Sequence, residues 1–429
     1  MTDTSPAPAS TGTTAEMSGF TQPGRLFNAE DFAVADLQPR EIWNRIITVS
    51  VRERASDIHI TSQGPRTHVS VRLDGRLCPQ GSLPNELGQR LINHVKVASR
   101  LDPAERRRPQ DGRLDEEIDG RPIDIRIGIL PTRHGESVAI RIQDRDAALL
   151  DVDSLGLEPH QLSAVTQLIR SPSGLVLVTG PTGAGKTTTI YAVLRHLADG
   201  SRKVITVENP VEYDLPGTDQ AEANYKIGMD YATLVRAALR QDANVIMIGE
   251  VRDPETAEAV VRAANSGRLV LATTHAIHAA AAVEGLVALG AHPHFVGRSF
   301  RGAIAQTLVR RVCKYCIEGL EETADGNLVE DVRHLLAPGE KPRLSLGRGC
   351  PHCRHTGYRG RTGVFEVLVA NEAIRNMISR GAPSRDVYDV AVKNGMMTIG
   401  QAGKLAALRG QTSIEELLQN VSEVWTGTA

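Results

Sequence analysis

Leu175-Val176-Leu177-Val178-Thr179-Gly180-Pro181-Thr182-Gly183-Ala184-Gly185-Lys186-Thr187-Thr188 is the stretch that decides the fold. The apolar run Leu175 to Val178 reads as a buried strand, and Ile190, Val193, Leu194 and Leu197 follow at helical spacing. Strand, glycine-rich turn and helix together separate a phosphate-binding loop from an ordinary glycine turn. Gly180, Gly183 and Gly185 let backbone N–H groups curl around phosphate oxygens. The helix beginning near Lys186 points its positive end at the anion. Lys186 offers a point charge to the outer phosphates of ATP, and the Thr187 hydroxyl is placed for Mg²⁺. Pro181, Thr182, Ala184 and Thr188 complete the expected nucleotide contact.

The chain has 429 residues, 41% of them hydrophobic, enough for two or three domains. Lys+Arg 49 against Asp+Glu 51 leaves a net charge of −2, so no basic excess points to nucleic acid or an anionic membrane. Aromatic residues are 3%, too few for base-stacking platforms. No apolar run approaches the ~18 residues of a spanning helix. The N-terminus has no signal-peptide pattern, which predicts a cytosolic protein.

Residues 1–35 are rich in Thr, Ser, Ala, Pro and Gly and read as a disordered tail. Residues 36–145 read as an α+β domain. A helix is predicted over Pro39 to Arg54. Val69, Val71 and Leu73 share one strand face, as do Ile123, Ile125, Ile127 and Ile129, and Val138, Ile140 and Ile142. Arg72, Arg126 and Arg141 fall on the opposite faces. Residues 146–156 form a linker. Residues 157–305 alternate apolar runs with helical stretches, the pattern of an α/β core with a largely parallel sheet. Its strands are placed at 175–178, 203–207, 245–248 and 269–272. A cysteine-bearing segment spans 306–368, and 369–429 is mostly helical, with Ser413 and Glu416 spaced as a capping box.

Val245-Ile246-Met247-Ile248-Gly249-Glu250 is a strand ending in an acid. P-loop ATPases usually carry Asp where Gly249 stands; Glu250 is placed to hold the metal's water shell or orient the attacking water. Glu208 and Glu212 follow another strand end, where ligands bind in open α/β sheets, and a carboxylate there can activate water. His275 follows Leu269 to Thr274 and is placed to sense a γ-phosphate, although a lone histidine is more often structural. Cys313-x-x-Cys316 and Cys350-x-x-Cys353 are two knuckles that together make a closed Zn²⁺ site of four thiolates, structural in role. Cys78 reads as a small buried residue. Arg106-Arg107-Arg108 reads as a solvated turn.

In this order the segments resemble the type II secretion and type IV pilus assembly ATPases, the general secretion pathway protein E family. Ala55-Ser-Asp-Ile-His-Ile, Val71-Arg-Leu-Asp-Gly, Arg108-Pro-Gln-Asp-Gly-Arg113 and Ile129 to Glu136 look like its N-terminal signatures. Glu208 to Tyr213 is similar to its Asp box, Gly249 to Asp253 to its Walker B, and Thr274-His275-Ala to its His box. The four cysteines and Gly357 to Glu366 match its C-terminal subdomain. The resemblance implies a RecA-like core behind a PAS-like N-terminal domain, an inserted zinc subdomain and a C-terminal helical region. It also implies a homohexamer with ATP between subunits, Glu212 as general base, Glu250 as the Mg²⁺-linked acid, and Arg126 and Arg141 offered to the phosphates. Arg72 and Arg113 match with less defined roles. An inner-membrane platform protein would be the partner, reached from the cytoplasmic face, with membrane association through that partner only. The four cysteines favour assembly over retraction. The chain departs from the family pattern at Asn209, at Asp242-Ala-Asn244 and at His278. A pilus-retraction or conjugation ATPase is the alternative. A GTPase switch is disfavoured because no Asn-Lys-x-Asp signature is present.

Overall fold

The computed structural model describes residues 23–27, 38–144, 150–320 and 324–421. Its first part is a six-stranded sheet backed by two helices. In chain order these are α1 (Pro39–Arg52), β1 (Asp57–Gln63), β2 (Arg66–Leu73), β3 (Arg76–Pro84), α2 (Asn85–Ala98), β4 (Gln110–Ile118), β5 (Arg121–Thr132) and β6 (Gly135–Asp144). The strands run β3-β2-β1-β6-β5-β4, all antiparallel neighbours. Two-residue alternation sets one face against the helices: Ile58, Ile60, Val71, Ile125 and Ile140 are buried with Trp43, Ile46, Leu91 and Ile92. Residues 23–27, which the sequence assigns to the loose tail, pack here instead. Phe27 is buried in this core, and the Leu26 N–H donates to Gln80 Oε1 at 2.6 Å. The rest of that tail lies outside the described residues.

The second part is a sheet between helical layers. It holds α3 (Pro159–Ile169), β7 (Gly174–Thr179), α4 (Lys186–Leu197), β8 (Val204–Glu208), β9 (Thr218–Glu222), α5 (Tyr231–Ala238), β10 (Val245–Ile248) and α6 (Pro254–Asn265). Then come β11 (Leu269–Thr273), α7 (Ala279–Ala288), α8 (Pro293–Ser299) and β12 (Phe300–Val312). The strand order is β15-β12-β7-β11-β10-β8-β9, where β15 is Tyr358–Val369 and pairs antiparallel with β12. The other neighbours are parallel. Strands β7, β8, β10 and β11 are buried along their whole length, as apolar runs between two helical layers must be. Helices α3 and α4 pack on one face; α5, α6, α7 and α8 pack on the other.

The segment predicted as a separate cysteine subdomain is built on this sheet. Strands β12 and β15 extend it, so the limits 306 and 368 fall within core strands. The excursion between them carries the short pair β13 (Ile317–Gly319) and β14 (Ser345–Gly347). The chain ends in α9 (Glu372–Ser379), α10 (Ser384–Lys393), α11 (Ile399–Leu408) and α12 (Ile414–Asn420). Ser413 caps α12, accepting from the Glu416 N–H at 3.2 Å. Glu416 does not complete the predicted capping box. It is buried and accepts from Arg310 Nε at 2.8 Å and Arg310 N at 2.9 Å, because the buried guanidinium needs a counter-charge.

Candidate active site

Gly180, Gly183 and Gly185 have φ of 144°, 80° and 85°, the left-handed region that favours glycine. At Gly180 a side chain is also excluded, since a Cβ would lie 2.2 Å from the Gln306 carbonyl oxygen. Gln306 steadies the loop from β12 by donating from Nε2 to the Ala184 carbonyl at 2.6 Å. Thr182 to Thr187 line a cavity of about 570 Å³. Gly180 and Pro181 face a separate pocket behind the loop, and Thr188 lines neither. Lys186 Nζ donates to the Gly180 carbonyl at 2.6 Å and the Pro181 carbonyl at 3.2 Å, and lies 3.2 Å from His275 Nδ1. Burial lowers the Lys186 pKa, and the charge of Glu250 works against that.

Three strand ends bring acids and His275 to the same cavity. His275 Nε2 is 2.8 Å from Glu250 Oε1, so one tautomer serves both contacts: Nε2–H donates to Glu250 and Nδ1 accepts from Lys186. Arg252 Nε reaches the same oxygen at 2.5 Å. Burial raises the Glu250 carboxyl, but Arg252 and His275 outweigh it and hold it below its ordinary value. The glycine before it has a packing reason. A Cβ on Gly249 would lie 3.2 Å from Tyr231 Oη and 3.3 Å from the Val207 carbonyl, so a side chain there would crowd both. Glu208 is not a free loop acid. It is buried and accepts from Tyr191 Oη and Thr206 Oγ1, each at 2.6 Å. Burial raises its pKa despite those donors.

Glu212 faces the cavity, and its partner comes from the first sheet. Arg126 donates to it at 2.8 and 3.3 Å and to Gln143 Oε1 at 2.9 Å. Register explains the arrangement. Arg72, Asp57, Arg141, Arg126 and Arg113 are successive cross-strand partners in β2, β1, β6, β5 and β4. Three of these cations are immediate neighbours, a costly row without anions. Arg113 is held by Asp124 through two bonds of 2.8 Å, and Arg72 by Asp57 at 3.4 Å; neither lines the cavity. Arg126 and Arg141 do line it, and they face the phosphate loop of their own chain. A subunit boundary is not needed to bring arginine and loop together.

The four cysteine sulfurs all lie within 4.8 Å of one another, the one such His/Cys/Asp/Glu cluster among the described residues. Cys313–Cys350 is 3.9 Å, and Cys316–Cys353 and Cys350–Cys353 are each 3.8 Å. Zn–S bonds of about 2.3 Å in a tetrahedron give sulfur–sulfur edges of about 3.8 Å, so the residues fit zinc. The N–H groups of Cys350 and Gly357 point at Cys353 Sγ from 3.2 and 3.3 Å; against burial, they bring that thiol down to about 7. Cys78 is buried, as expected.

Two of the departures have structural explanations. His278 caps α7, its Nδ1 accepting from the Ala281 N–H at 3.1 Å. Asn244 joins the opposite end of β10 to Lys203, away from Glu250. Asn209 does line the cavity. Arg106, Arg107 and Arg108 are exposed in a turn. Sequence reasoning missed Tyr191, Arg252, Gln306 and Arg361 as parts of the cavity or its support. Arg252 carried a signal, a cation two residues after the key acid. Tyr191 carried none, because its helical position reads as plain core. A groove of about 680 Å³ between α6 and α8 holds none of these groups.

A family profile described as Type II/IV secretion system protein matches residues 34–419. Type II secretion system protein HxcR of Pseudomonas aeruginosa is 42% identical over 376 residues, 88% of this chain and 76% of that protein. Type II secretion system ATPase E of Vibrio cholerae is 39% identical over 385 residues, 89% and 75% of the two. Among solved structures, the Legionella pneumophila ATPase DotB gives a TM-score of 0.66 at 20% identity, covering 92% of this chain and 98% of that one. The pilus retraction motor PilT with bound ADP gives 0.56 at 24% identity, covering 87% and 95%. At these identities the structural likeness is one of fold.

Proposed function

The chain belongs to the type II/IV secretion system protein family, and from that membership and the cleft's geometry we propose that it is an ATP-hydrolysing motor that assembles a type II secretion pseudopilus or a type IV pilus. One observation carries the mechanism: the phosphate loop and two arginines of the six-stranded unit face each other across one cavity.

ATP enters with its phosphates on the N–H groups of residues 180–187. Lys186 exchanges its loop carbonyls for phosphate oxygens. Mg²⁺, held through Thr187 and the shell of Glu250, would neutralise charge on the outer phosphates. The arriving phosphate competes with Glu212 for Arg126. As Arg126 turns to the anion, the Glu212 carboxylate is released to accept the proton of the attacking water. Glu250, kept ionised by Arg252 and His275, orients the site. Because arginine and loop belong to different units, binding draws the two together, and hydrolysis and release let them part. That motion is the work stroke. Cys313, Cys316, Cys350 and Cys353 would hold a zinc ion, which would tie the excursion between β12 and β15 together. We place the motor as a homohexamer at the cytoplasmic face of the inner membrane, docked on a platform protein. Among the described residues no helix is long and apolar enough to cross a membrane.

Deletion of the gene in its host tests the direction of work. Loss of fibres or of secretion supports assembly. An excess of fibres would mark a retraction motor and overturn this reading.

A further inference from the structure

The first unit also touches the second part of the chain at another place, beside the cysteine knuckle. The knuckle leads into two consecutive residues in the left-handed region, Arg354 at φ 51° and His355 at φ 60°. That conformation costs a non-glycine residue free energy. A glycine at 354 would relieve that cost but would carry no side chain to reach the first unit. Its Nη2 donates to the Glu53 carbonyl at 3.2 Å and pairs with the Glu53 carboxylate, at the end of α1. The pair is half-shielded, with side-chain exposures of 19% and 42%. Two further contacts flank it. The Gly24 N–H donates to the Arg354 carbonyl at 2.8 Å, and Asp74, in the turn between β2 and β3, accepts from the Gly360 N–H at 2.9 Å. Gly360 adjoins Arg361, which lines the nucleotide cavity.

We propose that Arg354 is a positioning residue: with Gly360 it forms the seat on which the first unit rests, and this seat keeps Arg126 and Arg141 over the phosphate loop. The proposal rests on the reading of the cleft as an ATPase site. Of the two, Arg354 sits on the excursion that the four cysteines gather and Gly360 on β15. The seat therefore ties the stability of that excursion to the geometry of the cleft.

Arg354→Gly is the informative substitution, since glycine relieves the left-handed backbone while removing the guanidinium. Paramagnetic labels attached at exposed Leu130 on β5 and exposed Phe295 on α8 report the distance between the units in the full chain. We expect unchanged zinc content, a broadened distance distribution, and turnover lowered about fivefold at unchanged nucleotide affinity, the scale of one partly shielded ion pair. Glu53→Arg combined with Arg354→Glu should narrow the distribution again. An unchanged distribution in Arg354→Gly, or a charge swap that restores nothing, overturns the proposal. If the wild-type chain fails to hydrolyse ATP, the functional reading falls, yet the distance measurement still decides the seat.

Discussion

Replacing Arg126 with alanine should abolish most turnover while leaving the fold intact. In the cleft Arg126 makes two bonds to Glu212, one to Gln143, and a longer ion contact of 3.8 Å to Asp124. Its side chain is 24% exposed and that of Glu212 27%, so the pair is screened by solvent and contributes only about 1 kcal/mol to stability. The melting temperature should therefore drop by only a few degrees. Catalysis is different. A guanidinium brought about 4 Å from the transferring phosphate, at an effective dielectric of about 20, is worth about 4 kcal/mol, or roughly a thousandfold in rate. Arg126→Lys should recover part of this, because charge is kept and the two-pronged geometry is lost. Arg126→Ala combined with Glu212→Gln should be little worse than either alone, since both act in one step. The assay is steady-state phosphate release with a parallel nucleotide-binding titration. Because Arg126 faces its own chain's loop, the loss should persist at protein concentrations below assembly. Turnover within threefold of wild type in Arg126→Ala would refute the argument.

Glu250→Gln should bind ATP with near wild-type affinity and stop turnover; a retained rate would remove Glu250 from catalysis. Glu208→Gln tests the buried carboxyl. Its folded pKa lies above the unfolded one, so wild-type stability falls as pH rises through that window, and the glutamine variant should gain on wild type from mildly acidic to neutral buffer. A stability difference that is flat with pH would contradict this. One equivalent of zinc per chain is expected by metal analysis. Stripping it should unfold the 313–357 excursion, since structural zinc contributes about 10 kcal/mol to such folds, while the six-stranded unit keeps its own melting transition. Folded protein without zinc would end that assignment.

Much of this was legible in the sequence because it rests on local rules. Two-residue alternation set the buried face of β2, β5 and β6, and long apolar runs marked the parallel strands. The phosphate loop and the cysteine knuckles announce themselves by spacing. What stayed hidden depends on contacts across the fold. Gly249 is explained only by Tyr231 and the backbone of β8, which pack against it from elsewhere in the chain. Glu208 and Glu212 look alike in sequence, yet Tyr191 and Thr206 bury one while Arg126 meets the other. The row of Arg113, Arg126 and Arg141 needs strand register, which alternation alone does not supply. Glu416 had a sound local partner in its own cap, and a buried arginine more than a hundred residues away took it instead. The cysteine segment read as a domain because its composition changes, whereas its flanking strands β12 and β15 belong to the core sheet.

The central claim is that this cleft hydrolyses ATP through the loop at residues 180–187. Its most direct test is Mg²⁺-dependent phosphate release by the purified full chain beside Lys186→Ala. Measurable turnover is expected for the wild type and none above background for the variant, with most nucleotide binding lost as well. Equal turnover by the two proteins would contradict it.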